Sequence, residues 1–446
     1  MGGCIVIVAI DFGASTVKTA VLKDNGEGEL LRVGSSLEFP SAIFLTPEGV
    51  LEVGQRALAF QRRDQLRFDA RLKQRINHRT PVAPKDRVVH LGSGDSLPLL
   101  EAVTAVLRQS LDAVAGSGQD PFEQLVLTHP VDWGDEELEL MTAAVRAAGF
   151  AGAVDPVSEP EGAAWFHRAQ QGDLPTPAAV FDLGASTFDA AVLTGDGDRL
   201  DARFQDGRMT GGDDFDVAVL DLVARELDGT DRTRFDELRV SDRWGYDLAD
   251  EARELKELLS REQEGTFAFD GLPDVPVTRD MFDDAVRPAL EECVAILADA
   301  VDALPSSSPL GSVVLSGGSS RVPLVQELVR DLAGRRGAAV LTAPEGMNPG
   351  HVVALGAVHL PQLPPPAPDP PVYSYTYTPS QAEEDPPRRA SLSDTLQIMT
   401  PLFPVGYVAR KIEENPEAIE AVRVAARAAV ESQKELYRSL VRRWKK

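Results

Sequence analysis

Residues 9–22 read AIDFGASTVKTAVL, and residues 180–193 read VFDLGASTFDAAVL. Eight of the fourteen aligned positions are identical, at an offset of 171 residues. Each copy runs as an apolar stretch ending in Asp, the turn Gly-Ala-Ser-Thr, then a second apolar stretch. That is strand–turn–strand, unlike the strand–loop–helix of a P-loop, and no G-x-x-x-x-G-K-[ST] occurs in the chain. The repeat predicts two lobes built alike, with their turns facing each other.

Glycine in such a turn lets backbone N–H groups approach a ligand closely, and several together form a nest for an anion. Ser and Thr hydroxyls add donors. The Asp before each turn repels a phosphate directly but can hold a hydrated Mg²⁺ that bridges to it. A polyphosphate between the lobes, with Asp11 and Asp182 on the metal through water, is the expectation from the pair of turns. A third turn, Ser316-Gly317-Gly318-Ser319-Ser320-Arg321, follows the strand-like run 312–315 and precedes a helix pattern from Val322-Pro323. Its glycines offer bare backbone to a base or sugar, and Arg321 carries a planar face for stacking. Gly211-Gly212-Asp213-Asp214-Phe215-Asp216 is a further glycine pair leading into a helix.

Composition bounds the rest. The chain has 446 residues with a formal charge of -25, an acidic balance that disfavours nucleic acid as a general partner. Cys4 and Cys293, its only cysteines, cannot build a disulfide framework or a cysteine zinc site, and the six histidines show no metal-ligand spacing. The early apolar run 5–10 stops at Asp11, too short to span a bilayer, so the expectation is a soluble, cytoplasmic protein without a transmembrane segment. Residues 1–360 alternate strand-like and helix-period segments, the pattern of an α/β protein. Residues 361–390 read as a proline-rich linker, since ten of the 32 prolines fall within 361–387. Residues 391–446 read as a helical tail: Asn415-Pro416 caps a segment free of Pro and Gly after that proline, with Ile419, Val422, Ala426, Ala429, Leu436 and Leu440 on one stripe. Residues 416–446 carry eight Lys/Arg against four Glu, net +4, so the remainder carries -29. Docking on the acidic body, a partner helix or an anionic lipid surface all fit that charge.

Read in order, the motifs are Asp11-Phe12-Gly13, Thr128-His129-Pro130, Ser158-Glu159-Pro160, Asp182 to Asp189, Gly211 to Asp216, Leu258-Leu259-Ser260, Gly317 to Pro323, Asn348-Pro349 and Ala354-Leu355-Gly356-Ala357. The series resembles the nucleotide-binding domain of the DnaK-type heat-shock-protein-70 chaperones, within the actin-like ATPase superfamily, over roughly residues 4–360. The resemblance implies a two-lobed actin-like fold of duplicated ribonuclease-H-like lobes, with ATP or ADP and Mg²⁺ in the central cleft. It implies that Asp11 and Asp182 are the carboxylates near the metal, that Lys73 is the catalytic lysine, and that Glu159 couples metal, water and lobe closure. Thr187 would stand beside the γ-phosphate. Gly13, Ala14, Ser15, Gly184, Ala185 and Ser186 would form the phosphate turns, with Gly211 and Gly212 close by. Lys256 and Ser260, one helical turn apart, would contact adenosine, and Gly317, Gly318, Ser319 and Arg321 would form the adenine platform.

Each position also has a plain reading. Lys73 lies among Arg71 and Arg75 as a solvated charge, Glu159 caps a helix from Glu161, and Lys18 and Asp189 face solvent from alternating strand positions. The turns depart from the family: Ala14 lacks a hydroxyl, and Ala185 and Ser186 stand where glycines are usual. Were those positions at φ > 0, each would carry about 1 kcal/mol of strain. Arg253, Glu257 and Gly350 replace an acid, a base and an acid of the family pattern. Too few residues follow 390 for the family's peptide-binding sandwich and lid. The expected function is a slow, Mg-dependent ATP hydrolase acting as a nucleotide-controlled switch, reaching a protein partner or client through the linker and tail helix. A nucleotide-binding module without turnover, an actin-like filament or scaffold protein, and more remotely a sugar kinase are the alternatives.

Overall fold

The computed structural model describes residues 7–77, 82–118, 122, 124–195, 200–241, 245–305 and 307–360. The chain divides into two units, Met1–Pro366 and Ala367–Lys446, and everything described lies in the first. The linker and tail helix expected from the sequence lie outside the described residues.

The first quoted stretch forms β1 (Ile7–Phe12) and β2 (Thr16–Leu22), an antiparallel hairpin followed by β3 (Gly28–Leu30) and the short β4 (Phe39–Pro40), both paired to β2. On its other side β1 pairs in parallel with β5 (Gln124–His129), which pairs in parallel with β6 (Ala153–Ser158). The second stretch forms β7 (Ala178–Leu183) and β8 (Phe188–Thr194), continued antiparallel by β9 (Asp201–Arg208). In turn β7 pairs in parallel with β10 (Ser312–Ser316), and β10 with β11 (Ala339–Leu341). The two sheets therefore share one strand order and one pattern of directions. The repeat seen in fourteen residues extends to a whole lobe.

Both hairpins bury both faces. β1 is buried throughout, and so are β7 and β10. One face of each sheet packs on its own lobe's core: Val8, Ile10 and Phe12 in the first, Phe181, Leu183 and Phe188 in the second. The other faces, with Ala9, Ala20, Val180, Ala191 and Val314, share a third core between the lobes. Small residues there leave room for two helices, α1 (Glu159–Gln171) and α2 (Val352–Ala357), which cross between the sheets. Each follows the last parallel strand of its lobe. The crossing needs glycine: a Cβ on Gly356 would lie 1.9 Å from the Gly162 carbonyl oxygen.

Candidate functional site

The two hairpin registers place functional residues face to face. Asp11 pairs with Lys18 across β1–β2 and with Thr128 on β5. Asp182 pairs with Asp189 across β7–β8 and with Ser316 on β10. Asp11, Lys18, Asp182 and Asp189 are all buried. This corrects the solvent-facing reading of Lys18 and Asp189: strands covered on both faces have no solvent side. The missed signal was the repeat itself, which sets a charged residue seven positions after each Asp in an otherwise apolar strand.

Lys73 and Glu159 join this cluster as a buried pair. Lys73 sits on the short helix Leu72–Asn77 at 2% exposure, so it is no solvated charge, and its Nζ donates to Glu159 Oε1 at 2.5 Å. Glu159 opens α1, and the helix is capped instead by Ser158, which exchanges hydrogen bonds with Glu161; Pro160 fits the first turn and Gly172 ends the helix at φ 77°. The plain alternative reading of Glu159, as the helix cap, is thereby corrected. Freed from that part, Glu159 faces Lys73.

The charges of these residues feel one another across the lobes. Burial raises Asp182 to about 7, with Glu159 and Asp11 adding repulsion. Burial and then Glu159 push Asp189 well above the carboxylate range, although the Val131 N–H donates to its Oδ1 at 2.7 Å. Burial raises Glu159 too; Lys73 opposes this and Asp11 adds to it. For Lys73, burial favours the neutral amine, but Glu159, Asp11 and Asp189 outweigh it, and the ammonium persists. Asp11 from one lobe and Asp182 from the other thus share a single buried site.

A hydrated dication suits this site. Four carboxylates face two ammonium groups, an excess of negative charge when all are ionised. Asp182 Oδ1 and Asp189 Oδ2 are buried without a hydrogen-bond partner. Among the described residues no three His, Cys, Asp or Glu side chains gather to ligate a metal directly.

The turns close around this centre. In the first, the Gly13 N–H donates to the Thr16 carbonyl, while Ser41 donates its hydroxyl to the Gly13 carbonyl and its N–H to the Ser15 carbonyl. Ala14 is buried and Ser15 exposed. In the second, the Gly184 N–H donates to the Thr187 carbonyl, and Ser186 and Thr187 are buried. Among the described residues no non-glycine has positive φ, so Ala185 and Ser186 carry none of the strain expected at φ > 0. The carbonyls of Gly184 and Ala185 accept from the N–H groups of Gly212 and Asp213, which open the helix Gly212–Glu226. A Cβ on Gly211 would strike the Ala185 backbone at 2.5 Å.

The third turn packs against the second. Ser319 donates its hydroxyl to the Gly184 carbonyl at 2.8 Å. Gly317 has φ 83°, and a Cβ there would meet the Leu183 carbonyl oxygen at 2.2 Å, so glycine is obligatory on both counts. Gly318 and Arg321 are exposed. Lys256, on the helix Gly245–Leu259, donates to the Gly212 carbonyl at 2.9 Å and pairs with Asp216 at 2.6 Å, and Ser260 bonds back to the Lys256 carbonyl. Gln74, beside Lys73, reaches Asp213 across the lobes at 2.9 Å. The fold thus gathers the carboxylates, the lysine pair and the glycine turns into one continuous region. Asp216 and Thr128 belong to it as well, and had been quoted only as motif letters.

Comparison with known proteins agrees with this geometry. The Hsp70 protein family model matches residues 89–363. The chain belongs to the Hsp70 family. The chaperone protein DnaK of two Halobacterium salinarum strains, ATCC 29341 and ATCC 700922, is 29% identical to this Hsp70-family chain over 366 residues. That match covers 79% of the chain and 54% of each DnaK, so the chain spans about half the length of the curated relatives it matches. The mixed α/β architecture with duplicated sheets fits the nucleotide-binding fold of the Hsp70 family. No helix among the described residues is long and apolar enough to cross a membrane.

Proposed function

We propose that this Hsp70-family chain binds ATP and ADP with Mg²⁺ between its lobes, hydrolyses ATP slowly, and acts as a nucleotide-controlled switch on a protein partner. The observation that carries this reading is the burial of Asp11 and Asp182, from mirrored strand ends, in one site with the Lys73–Glu159 pair. Mg²⁺ would neutralise phosphate charge there. Asp11 and Asp182 hold it through water. The turns Gly13–Ser15 and Gly184–Ser186, closed by their glycine N–H groups, present the N–H groups of Ala14, Ser15, Ala185 and Ser186 to phosphate oxygens, and Thr187 lies at the γ end. Lys256, Ser260, Gly317, Gly318, Ser319 and Arg321 hold adenosine, with Gly211 and Gly212 beside the second phosphate turn. Lys73, kept charged, orients the attacking water, and Glu159 fixes Lys73. Hydrolysis of this kind asks for positioning and charge stabilisation more than covalent help. The partner contact is assigned to the linker and tail.

A nucleotide holder without turnover is the second reading, favoured by the missing hydroxyl at Ala14. Phosphate release from Mg·ATP under single-turnover conditions separates the two. The switch predicts release by wild type and a rate roughly 100-fold lower in Lys73→Ala, with ADP binding retained. Tight ATP binding without release in wild type favours the holder, and equal rates reject the part given to Lys73.

A further inference from the structure

Glu38 and His351 meet across the lobes, and their contact turns on one nitrogen. Glu38 precedes β4 in the first lobe, and its Oε2 accepts at 3.0 Å from the hydroxyl of Thr16, which opens β2. His351 immediately precedes α2. Its Nε2 lies 3.5 Å from Glu38 Oε2 and 3.4 Å from Asn348 Nδ2. The Asn348 amide has a fixed orientation, because its Oδ1 accepts from the Gly350 N–H at 3.1 Å. Its Nδ2, turned to the imidazole, is a donor only.

One ring nitrogen thus stands between an acceptor on the first lobe and a donor of its own segment. With a lone pair on Nε2, the ring accepts from Asn348 and repels the Glu38 carboxylate. With a proton there, it donates to Glu38 and turns away from the Asn348 amide. A protonated imidazole carries N–H on both nitrogens, so protonation selects the contact across the lobes and makes it an ion pair. Glu38 is ready as the anion: the His351 hydrogen bond first, then Lys18 and Thr16, hold its carboxyl at about 2 against the effect of burial.

Little else competes for the ring. Both side chains are half-buried. The helix α2 brings only uncharged residues, and the third turn, packed on the same segment, carries one charged residue, the exposed Arg321. Lys18, whose charge reaches Glu38, is engaged with Asp11 at 3.2 Å. The segment also borders the third turn closely: a Cβ on Gly350 would lie 3.8 Å from the Gly318 nitrogen. The contact therefore ties the strand after the first turn to the base platform proposed above.

We infer that His351 and Glu38 form a proton-operated clasp between the lobes, closed when His351 is protonated, which slows nucleotide release as pH falls. The inference rests on the nucleotide reading above. By linkage, closing the lobes on nucleotide takes up a proton at this pair. His351 is a positioning residue, acting on the lobes and not on the nucleotide.

Stopped-flow release of a fluorescent ADP analogue from the full chain, with Mg²⁺ present, tests this in wild type, Glu38→Gln and His351→Gln. Asp182, raised to about 7, titrates in the same range, so the readout is the excess of the wild-type pH response over that of the variants. Between about pH 8 and about pH 6, wild type slows roughly 3- to 10-fold more than either variant, the worth of one half-buried ion pair. Parallel profiles in all three proteins overturn the inference, and a response lost in His351→Gln but kept in Glu38→Gln overturns the pairing. Should one variant fail to fold, the other decides by the same comparison. Absence of analogue binding in wild type overturns the nucleotide reading and the inference with it, whereas binding with parallel profiles overturns the inference alone.

Discussion

Replacing Gly356 by Ala places one methyl group where the two central helices cross. The Cβ would stand 1.9 Å from the Gly162 carbonyl oxygen, 2.5 Å from the Phe166 nitrogen and 2.9 Å from the Gly162 carbonyl carbon. Ordinary contact begins near 3.4 Å, so the helices must part by about 1.5 Å, and the obstacle is backbone that cannot rotate aside. Parting them loosens Ala163, Ala164, Phe166, Val353 and Ala354, which fill the core between the lobes. Overpacking costs typically 1–3 kcal/mol, and with rigid backbone on both sides we expect about 3 kcal/mol. The assay is urea unfolding, read as a fall in midpoint. Gly334→Ala is the control: its Cβ meets no atom within 4 Å inside the helix Pro323–Arg336, and it should gain about 0.5–1 kcal/mol from helix propensity. A Gly356→Ala protein with the wild-type midpoint would refute the claim that this crossing needs glycine.

Two further outcomes follow from contacts between the lobes. Tyr246, from the second lobe, stands edge-on to Phe68 at 5.1 Å between centroids and under the Arg71 guanidinium at 5.7 Å. Removing it in Tyr246→Ala forfeits about 1–2 kcal/mol of closure, and release of a fluorescent ADP analogue in stopped flow should quicken roughly 5- to 30-fold; an unchanged rate would show that closure does not run through this contact. Glu38, beside Thr16 and 3.5 Å from His351 of the second lobe, is held down at about 2 by the His351 hydrogen bond first, then by Lys18 and Thr16 against the opposing effect of burial. Its folded pKa lies below the ordinary value, so its stabilisation is present above pH 4.5 and is lost as pH falls through about 2. Discounted for partial exposure, that is about 1–2 kcal/mol. Urea midpoints across this window should fall less steeply in Glu38→Gln; parallel curves would contradict the assignment.

The repeated hairpin was legible because its letters are local: Asp, Gly-Ala-Ser-Thr and alternating apolar runs announce a strand, a turn and a strand. The lobes could be inferred from it, and the order of the later motifs could be read as a family. What stayed hidden was which strands are buried on both faces. Lys18 and Asp189 look like solvent-side residues under a period of two, and only the third core, filled by α1 and α2, turns that side inward. The Lys73–Glu159 pair was hidden for a related reason, since its partners are 86 residues apart and Lys73 stands among arginines that remain partly exposed. The strain feared at Ala185 and Ser186 was a question of φ, which residue identity bounds but does not state. Ser158 as the cap was readable from Ser-x-x-Glu at 158–161.

The central claim is that one carboxylate from each lobe jointly holds a metal-bound nucleotide. Titrating ATP into wild type, Asp11→Asn and Asp182→Asn, each with Mg²⁺ and with EDTA, tests it most directly. The account predicts one nucleotide per wild-type chain, a marked loss on removing Mg²⁺, and roughly tenfold or greater weakening in both variants. Binding that is indifferent to Mg²⁺, or that survives intact when either lobe's carboxylate is replaced, would contradict it.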